Sequence, residues 1–228
     1  SFQRRLSQYP AETLYETIPN FHNTPVRYEN FLKSLEKNAS GRADTALHEI
    51  DFVKARKDFT TVLEEAHKKG ELPKRVTHND TKINNVLLDE KTRKALCVID
   101  LDTVMPGLVA FDFGDALRVC ASTGREDEKD LDKVAVDMSK YEAFTRGFVG
   151  AIKGSLNDAE LDTLALGAVT MTVECGMRFL TDYLNGDKYF KIHYPDQNLV
   201  RARCHLVLAR DMIKKLDEMQ GLVNKYYE

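Results

Sequence analysis

Apolar residues recur along this chain at two different periods, and the change of period divides it. Thr24-Pro25 marks a helix start, with Thr as N-cap and Pro at the first helical position, and the helix runs to about Lys37. Asn38 to Asp44 reads as a loop. Ile50, Phe52, Phe59, Leu63 and Ala66 then fall on one helical stripe, which predicts a single long helix ended by Gly70 and Pro73. Beyond these the pattern changes. Val86–Leu88 and Ala95–Ile99 are short apolar runs separated by the charged stretch Asp89–Lys94, the signature of two strands in a hairpin. Their composition predicts burial. After Gly107 the helical period returns, over Phe111–Ala121 and Val136–Ile152, with the charge run Arg125–Asp132 between them as a solvated loop or helix start. Asn157 and Glu160 are spaced as a capping box. They open a long helix with Leu161, Leu164, Ala165, Ala168, Met171, Thr172, Cys175 and Phe179 on its stripe, closed by Asn185-Gly186. A last helix spans about Asn198 to Met219. The chain is expected to be mostly α with a small β-hairpin element, an α+β fold.

Polar residues crowd both ends of that hairpin. Ahead of it lies His78-x-Asp80-x-x-x-x-Asn85, and Asp100 follows its return strand directly. A carboxylate on a loop before the hairpin can take a proton from a substrate hydroxyl. An amide five residues on and a carboxylate at the end of the return strand can converge on one hard cation, and Mg2+ prefers oxygen ligands. Lys82, two residues after Asp80, can place a cation on a moving phosphoryl group, which completes the parts that phosphoryl transfer needs. Asp and Asn are also common turn residues, and a lone His-x-Asp is most often structural. The full spacing joined to a hairpin and Ile99-Asp100 is much harder to produce by chance.

Composition narrows the alternatives. The 228 residues suit one large domain or two small ones, and 43% apolar with 30% charged residues is ordinary for a globular protein. A formal net charge of −3 leaves no basic footprint for nucleic acid. No apolar run reaches the roughly 20 residues that cross a bilayer, so no membrane partner is expected. Cys97, Cys120, Cys175 and Cys204 are far apart and form no metal-ligand pair. They are expected to be buried free thiols in a reducing, cytoplasmic setting.

The stretch His78-Asn-Asp-Thr-Lys-Ile-Asn-Asn85, with Ile99-Asp-Leu-Asp102, resembles the catalytic core of the aminoglycoside phosphotransferase and choline kinase superfamily, small-molecule kinases with a protein-kinase-like fold. It is similar to the kinase loop H-R-D-x-x-x-x-N with Asn79 in place of Arg, and Asp100 matches the Asp of D-F-G with Leu101-Asp102 in place of Phe-Gly. Three further stretches, Ile99–Gly107, Phe111–Arg118 and Gly176–Tyr183, resemble the N-acetylhexosamine 1-kinases, which phosphorylate the anomeric hydroxyl of N-acetylglucosamine or N-acetylgalactosamine with ATP. The resemblance implies ATP and Mg2+ as cofactors, Asp80 as catalytic base and contact to the acceptor, and Asn85 and Asp100 as Mg2+ ligands. It gives His78 a bracing role. It places the sugar acceptor against Arg178 and Tyr189; the alternative for Arg178 is an ordinary surface pair with Glu174, four residues before it, and for Tyr189 a packing aromatic. Asp112, Asp115 and Arg118 are expected to fix the loop after the metal site.

The resemblance covers a protein-kinase-like C-terminal lobe. Residues 1–72 form a helical lead-in, 73–118 the catalytic loop, hairpin and metal-binding segment, and 119–228 a helical acceptor-binding subdomain. Before His78 the only glycines are Gly41 and Gly70, and no V-A-I-K-like strand or Walker A motif occurs. The N-terminal lobe of the same gene product is therefore expected to be missing from this stretch, leaving it inactive alone. The alternatives are a kinase for another small acceptor (choline, homoserine or an aminoglycoside) and a non-catalytic, pseudokinase-like binding lobe.

Overall fold

The computed structural model describes residues 2–228. A short helix α1 (Phe2–Leu6) leads by an extended stretch to α2 (Thr24–Lys37). The cap of α2 is Asn23, whose side chain accepts from the Val26 N–H at 3.2 Å, and Asn38 ends the helix in the left-handed region. Thr24, expected as the cap, is buried and turned onto Glu174 instead. The single long helix expected next is two, α3 (Leu47–Lys54) and α4 (Asp58–Lys68), interrupted at Ala55–Lys57. Ile50 and Phe52 pack with one apolar cluster and Leu63 and Ala66 with another, so the break re-aims a set of positions that the spacing reads as continuous.

Four strands follow: β1 (Arg75–Thr77), β2 (Val86–Leu88), β3 (Ala95–Val98) and β4 (Met105–Gly107). The hairpin β2–β3 is the one expected, with Val86 opposite Val98 and Leu87 opposite Cys97. Its burial is not. Leu87, Leu88, Leu96, Val98 and Ile99 are all exposed, Leu96 at 65%, and Cys97 is exposed with them. A two-stranded ribbon has two faces, and among the described residues nothing lies over this one. The pairing of β1 with β4, antiparallel with Thr77 opposite Met105, has no apolar alternation to announce it. It joins the entrance of the polar cluster to its exit.

The remaining helices are α5 (Val109–Cys120), α6 (Met138–Ile152), α7 (Asp158–Asp162), α8 (Leu164–Asn185), α9 (Gln197–Lys214) and α10 (Leu216–Tyr227). Both halves of the Asn157–Glu160 capping box are made at the start of α7, and Gly186, at φ 91°, closes α8. The helix expected from Asn157 breaks once, at Thr163, and the single last helix expected to Met219 is broken at Lys215 into α9 and α10, the latter running on to Tyr227. By length and composition α8 could cross a membrane, contrary to the sequence expectation, but 83% of its apolar window is buried inside the protein. It is the central core helix, packed by α9, α5 and α2. One apolar cluster, around Phe113, Tyr141, Val169 and Met212, lies between α5, α6, α8, α9 and α10. A second, around Phe31, Val53 and Leu180, lies between α2, α3, α8 and α9.

Helices α5 and α8 cross at a pair of glycines. A Cβ on Gly114 would strike the backbone of Gly167, and one on Gly167 would strike the Ala110 carbonyl. The two backbones touch, and neither can yield as a flexible side chain would. Helix propensity alone favours Ala over Gly by about 1 kcal/mol, so the sign of a substitution separates the two effects. Gly167→Ala is expected to destabilise by about 1–3 kcal/mol through overpacking. Gly147→Ala on α6, where the added methyl meets nothing within 4 Å, is expected to stabilise. Thermal unfolding of the two variants checks both signs.

Candidate active site

The loop between β1 and β2 is buried at its start, and its backbone donors have no ladder to join. Helix α5 supplies the acceptors. The Asp112 carboxylate takes the N–H groups of His78 at 2.9 Å and Asn79 at 2.8 Å, and the Gln3 side chain at 2.7 Å. One turn along, Asp115 takes the Thr81 N–H at 2.7 Å and is held from behind by Arg118 Nε at 2.7 Å. Burial pushes the Asp112 carboxyl above the ordinary range, against the opposing pull of the two N–H donors. These residues therefore hold the loop that carries Asp80, rather than the loop after the hairpin as the sequence implied.

Asn79 sits at φ 63°, a left-handed conformation that Asn tolerates better than most residues. Its side chain donates to the Thr103 carbonyl at 3.0 Å. Gly107 passes so close that a Cβ there would meet both Thr77 and Asn79 side chains. This sharp turn aims Asp80. One carboxylate oxygen of Asp80 is held by Lys82 Nζ at 2.7 Å and Asn85 Nδ2 at 2.9 Å. Its other oxygen takes no hydrogen bond among the described residues and is open to a proton donor. The cation of Lys82 is thus committed to the carboxylate.

His78 accepts the Asp80 N–H on Nδ1 at 3.3 Å and faces the Ile99 carbonyl with Nε2 at 3.1 Å, which fixes the Nε2–H tautomer. The His78 ring thereby ties the loop to the end of β3. The Ile99 N–H in turn donates to the Asn85 carbonyl at 2.9 Å, so Asn85 and Asp100 are neighbours across this joint. Nδ2 of Asn85 is spent on Asp80, at its backbone and side-chain oxygens, leaving Oδ1 unbonded. Asp100, exposed and at φ 62°, has no hydrogen-bonded partner among the described residues. Two free oxygen donors of this kind suit a hard divalent cation.

Asp80, Lys82, Asn85, His78 and Asp112 line one cavity of about 190 Å³, together with Phe2 and Gln3. Arg178 and Tyr189 line a different one, of about 400 Å³, with Arg27, Asn30, Asp182 and Phe190. Tyr189 is 73% exposed at its rim. Arg178 lies between the rings of Phe21 and Phe190, 5.8 and 5.6 Å from their centroids. Arg27 donates to the Phe21 carbonyl, and burial together with the charge of Arg178 lowers its pKa. Asp182 accepts the N–H groups of Lys188, Tyr189 and Phe190, each at 2.9 Å, and so shapes the turn that carries Tyr189.

Glu174 is not the surface partner of Arg178. It is fully buried, and it holds His22 at 2.9 Å and the Thr24 hydroxyl. His22 Nε2 in turn reaches the Asn79 carbonyl at 2.8 Å. Sequence reasoning missed His22, Arg27, Asp182 and the pinning role of Thr81. His22 and Arg27 belong to no spaced motif, and Thr81 and Asp182 lie inside the stretches His78–Asn85 and Gly176–Tyr183, whose spacing does not show what their side chains hold.

The turn aims the Asp80 carboxylate, with the Asn85 amide and the Lys82 cation on its flank. Residues 1–144 match the APH family, described as a phosphotransferase enzyme family, and the chain belongs to it. Membership makes this a phosphotransferase of the class that moves a phosphoryl group from ATP to a small-molecule acceptor. Removing the Asp112 clamp should loosen the loop. Asp112→Ala leaves two buried N–H groups without acceptors, at about 1–3 kcal/mol each. Faster hydrogen exchange at the Asn79 and Asp80 amides, with a lower Tm, is the expected result.

Proposed function

We propose that this chain is the acceptor-binding, C-terminal lobe of a Mg2+-dependent kinase that phosphorylates a sugar hydroxyl, the anomeric hydroxyl of an N-acetylhexosamine. The observation that carries the reading is the unbonded oxygen of Asp80, held outward by Asn85 and Lys82 on its other oxygen. Asp80 accepts the proton of the acceptor hydroxyl as that oxygen takes the γ-phosphoryl group and ADP leaves. Asn85 Oδ1 and Asp100 would hold Mg2+, which would neutralise charge on the phosphates. Lys82 keeps the Asp80 carboxylate in its rotamer and adds positive charge near the transferred group.

The acceptor assignment rests on the stretches that resemble the hexosamine kinases and on the second cavity. That cavity offers Arg27, Asn30 and Arg178 as hydrogen-bond donors, with Tyr189 and Phe190 as flat walls, a mixture suited to a polyol with one apolar face. The uncovered apolar hairpin supports a further element of the reading. A small lobe bearing the Gly-rich loop and the phosphate-pairing lysine covers β2–β3 in the full enzyme, with the nucleotide between.

A coupled ADP-release assay on the full-length gene product tests this, with N-acetylglucosamine, N-acetylgalactosamine, choline and an aminoglycoside as acceptors. Turnover is expected with the two N-acetylhexosamines and only with Mg2+. Asp80→Asn is expected to lower kcat by roughly 10²–10⁴. Unchanged turnover in that variant refutes the role of Asp80, and preference for choline or the aminoglycoside refutes the sugar.

A further inference from the structure

His22 lies outside every motif, yet it touches the loop at the peptide that leads into Asp80. Its Nδ1 is 2.9 Å from a carboxylate oxygen of Glu174, and its Nε2 is 2.8 Å from the Asn79 carbonyl. A backbone carbonyl can only accept, and an ionised carboxylate can only accept. Glu174 also receives the Thr24 hydroxyl on its second oxygen, as an ionised carboxylate does. With Glu174 ionised, the ring lies between two acceptors and donates twice, which only the imidazolium can do.

We propose that His22 is a positioning residue of the phosphotransfer reaction: a buried imidazolium, paired with Glu174, that grips the Asn79 carbonyl and so fixes the direction of Asp80. The inference rests on the reading of Asp80 as the base. Asn79 is then held at both ends, its N–H by Asp112 on α5 and its carbonyl by His22. The following peptide carries the Asp80 nitrogen, and it too is held on both sides, its carbonyl by His22 and its N–H by His78 Nδ1 at 3.3 Å, the longer of the two contacts. The clamp also ties the loop to α8, which carries Arg178 one turn beyond Glu174.

The charge state has a physical basis in the surroundings. Burial works against a charged His22, but the Glu174 charge and the hydrogen bonds to Glu174 and Asn79 outweigh it, and the pKa is raised. Burial likewise works against ionised Glu174, and His22 outweighs it with help from Arg178 and Thr24, so that pKa is lowered. Both directions put the proton on His22. The other charges that face the pair are Asp115 on α5, Arg27 on α2 and, across the cavity beside the ring, Glu16, Glu64 and Lys74. The rings of Phe21 and Phe111 close the remaining sides at 4.5 and 5.6 Å. A raised folded pKa means that the stabilisation is complete below the ordinary histidine range. It is lost as pH rises through the folded value.

The ring nitrogens report the charge directly. In a 15N-labelled sample of this chain, long-range proton–nitrogen spectra at pH 7 are expected to show protons on both ring nitrogens of His22. On titration upward the ring should lose one proton above the ordinary histidine range, and the Asp80 amide should shift with the same midpoint. Glu174→Gln keeps the shape but removes the charge. It should move that midpoint down by more than about one pH unit. In the full-length enzyme, with ATP and N-acetylglucosamine, it should lower kcat roughly 10–100-fold with little change in KM for ATP, and carry the alkaline limb of the rate profile downward with it.

A wild-type ring with one protonated nitrogen at pH 7 overturns the proposal, as does an Asp80 amide indifferent to the His22 titration. Both are read in the unaltered protein, so a Glu174→Gln chain that fails to fold leaves the decision intact. An enzyme silent toward N-acetylglucosamine bears on the acceptor proposed above, because ring protonation is measured with no acceptor present.

Discussion

A buried loop must find acceptors for its own N–H groups, and the rest of this molecule is arranged around that requirement. The segment from His78 to Thr81 joins two strands that do not pair with each other, so no sheet supplies its hydrogen bonds. Asp112 and Asp115, three apart on one face of α5, supply them instead. An unpaired buried N–H costs about 1–3 kcal/mol, so the loop can take its sharp left-handed turn at Asn79 only where these carboxylates already stand. The direction of Asp80 is thus a property of where α5 lies. That in turn depends on α8, because the two backbones touch at Gly114 and Gly167.

The fold was legible in the sequence where periodicity is local, and much less so where it is not. The helices around Phe111, Val136, Asn157 and Asn198 announce themselves by apolar spacing, and the Asn157–Glu160 box is present as spaced. The break at Thr163 leaves Leu161, Leu164, Ala165 and Ala168 in one cluster, and the break at Ala55–Lys57 carries no Gly or Pro, so the pattern marks neither. The strands β1 and β4 are three residues each, too short for alternation to show. The hairpin exposes a different limit. An apolar run says that a surface wants cover, not that the same stretch of chain provides it.

The site divides in the same way. His78, Asp80, Asn85 and Asp100 form a spaced motif because they lie on one continuous loop–hairpin–loop; the first three line one cavity, and Asp100 follows the residue whose N–H bonds Asn85. Glu174 and Arg178 looked like a surface pair because four-residue spacing on a helix puts two side chains near each other. Which of them faces inward is decided by α2 and the segment before it, and only tertiary structure brings His22 and Thr24 to Glu174. His22 had no sequence signal at all, since its two partners are 152 and 57 residues away.

Glu174, Arg178 and Asp182 recur every four residues along α8, and each looks toward a different part of the chemistry. Glu174 reaches the loop of Asp80 through His22. Arg178 faces the larger cavity. Asp182 gathers three successive N–H groups of the turn that presents Tyr189, the device that Asp112 uses on the other loop. Carboxylates on two touching helices therefore hold both turns by their backbones, and hold them against one another. A shift of α8 along α5 would move the residues of the larger cavity relative to Asp80 without changing either cavity's own bonds. The two glycines set how closely α5 and α8 approach, so the spacing between Asp80 and the residues of the larger cavity depends on a helix crossing remote from both.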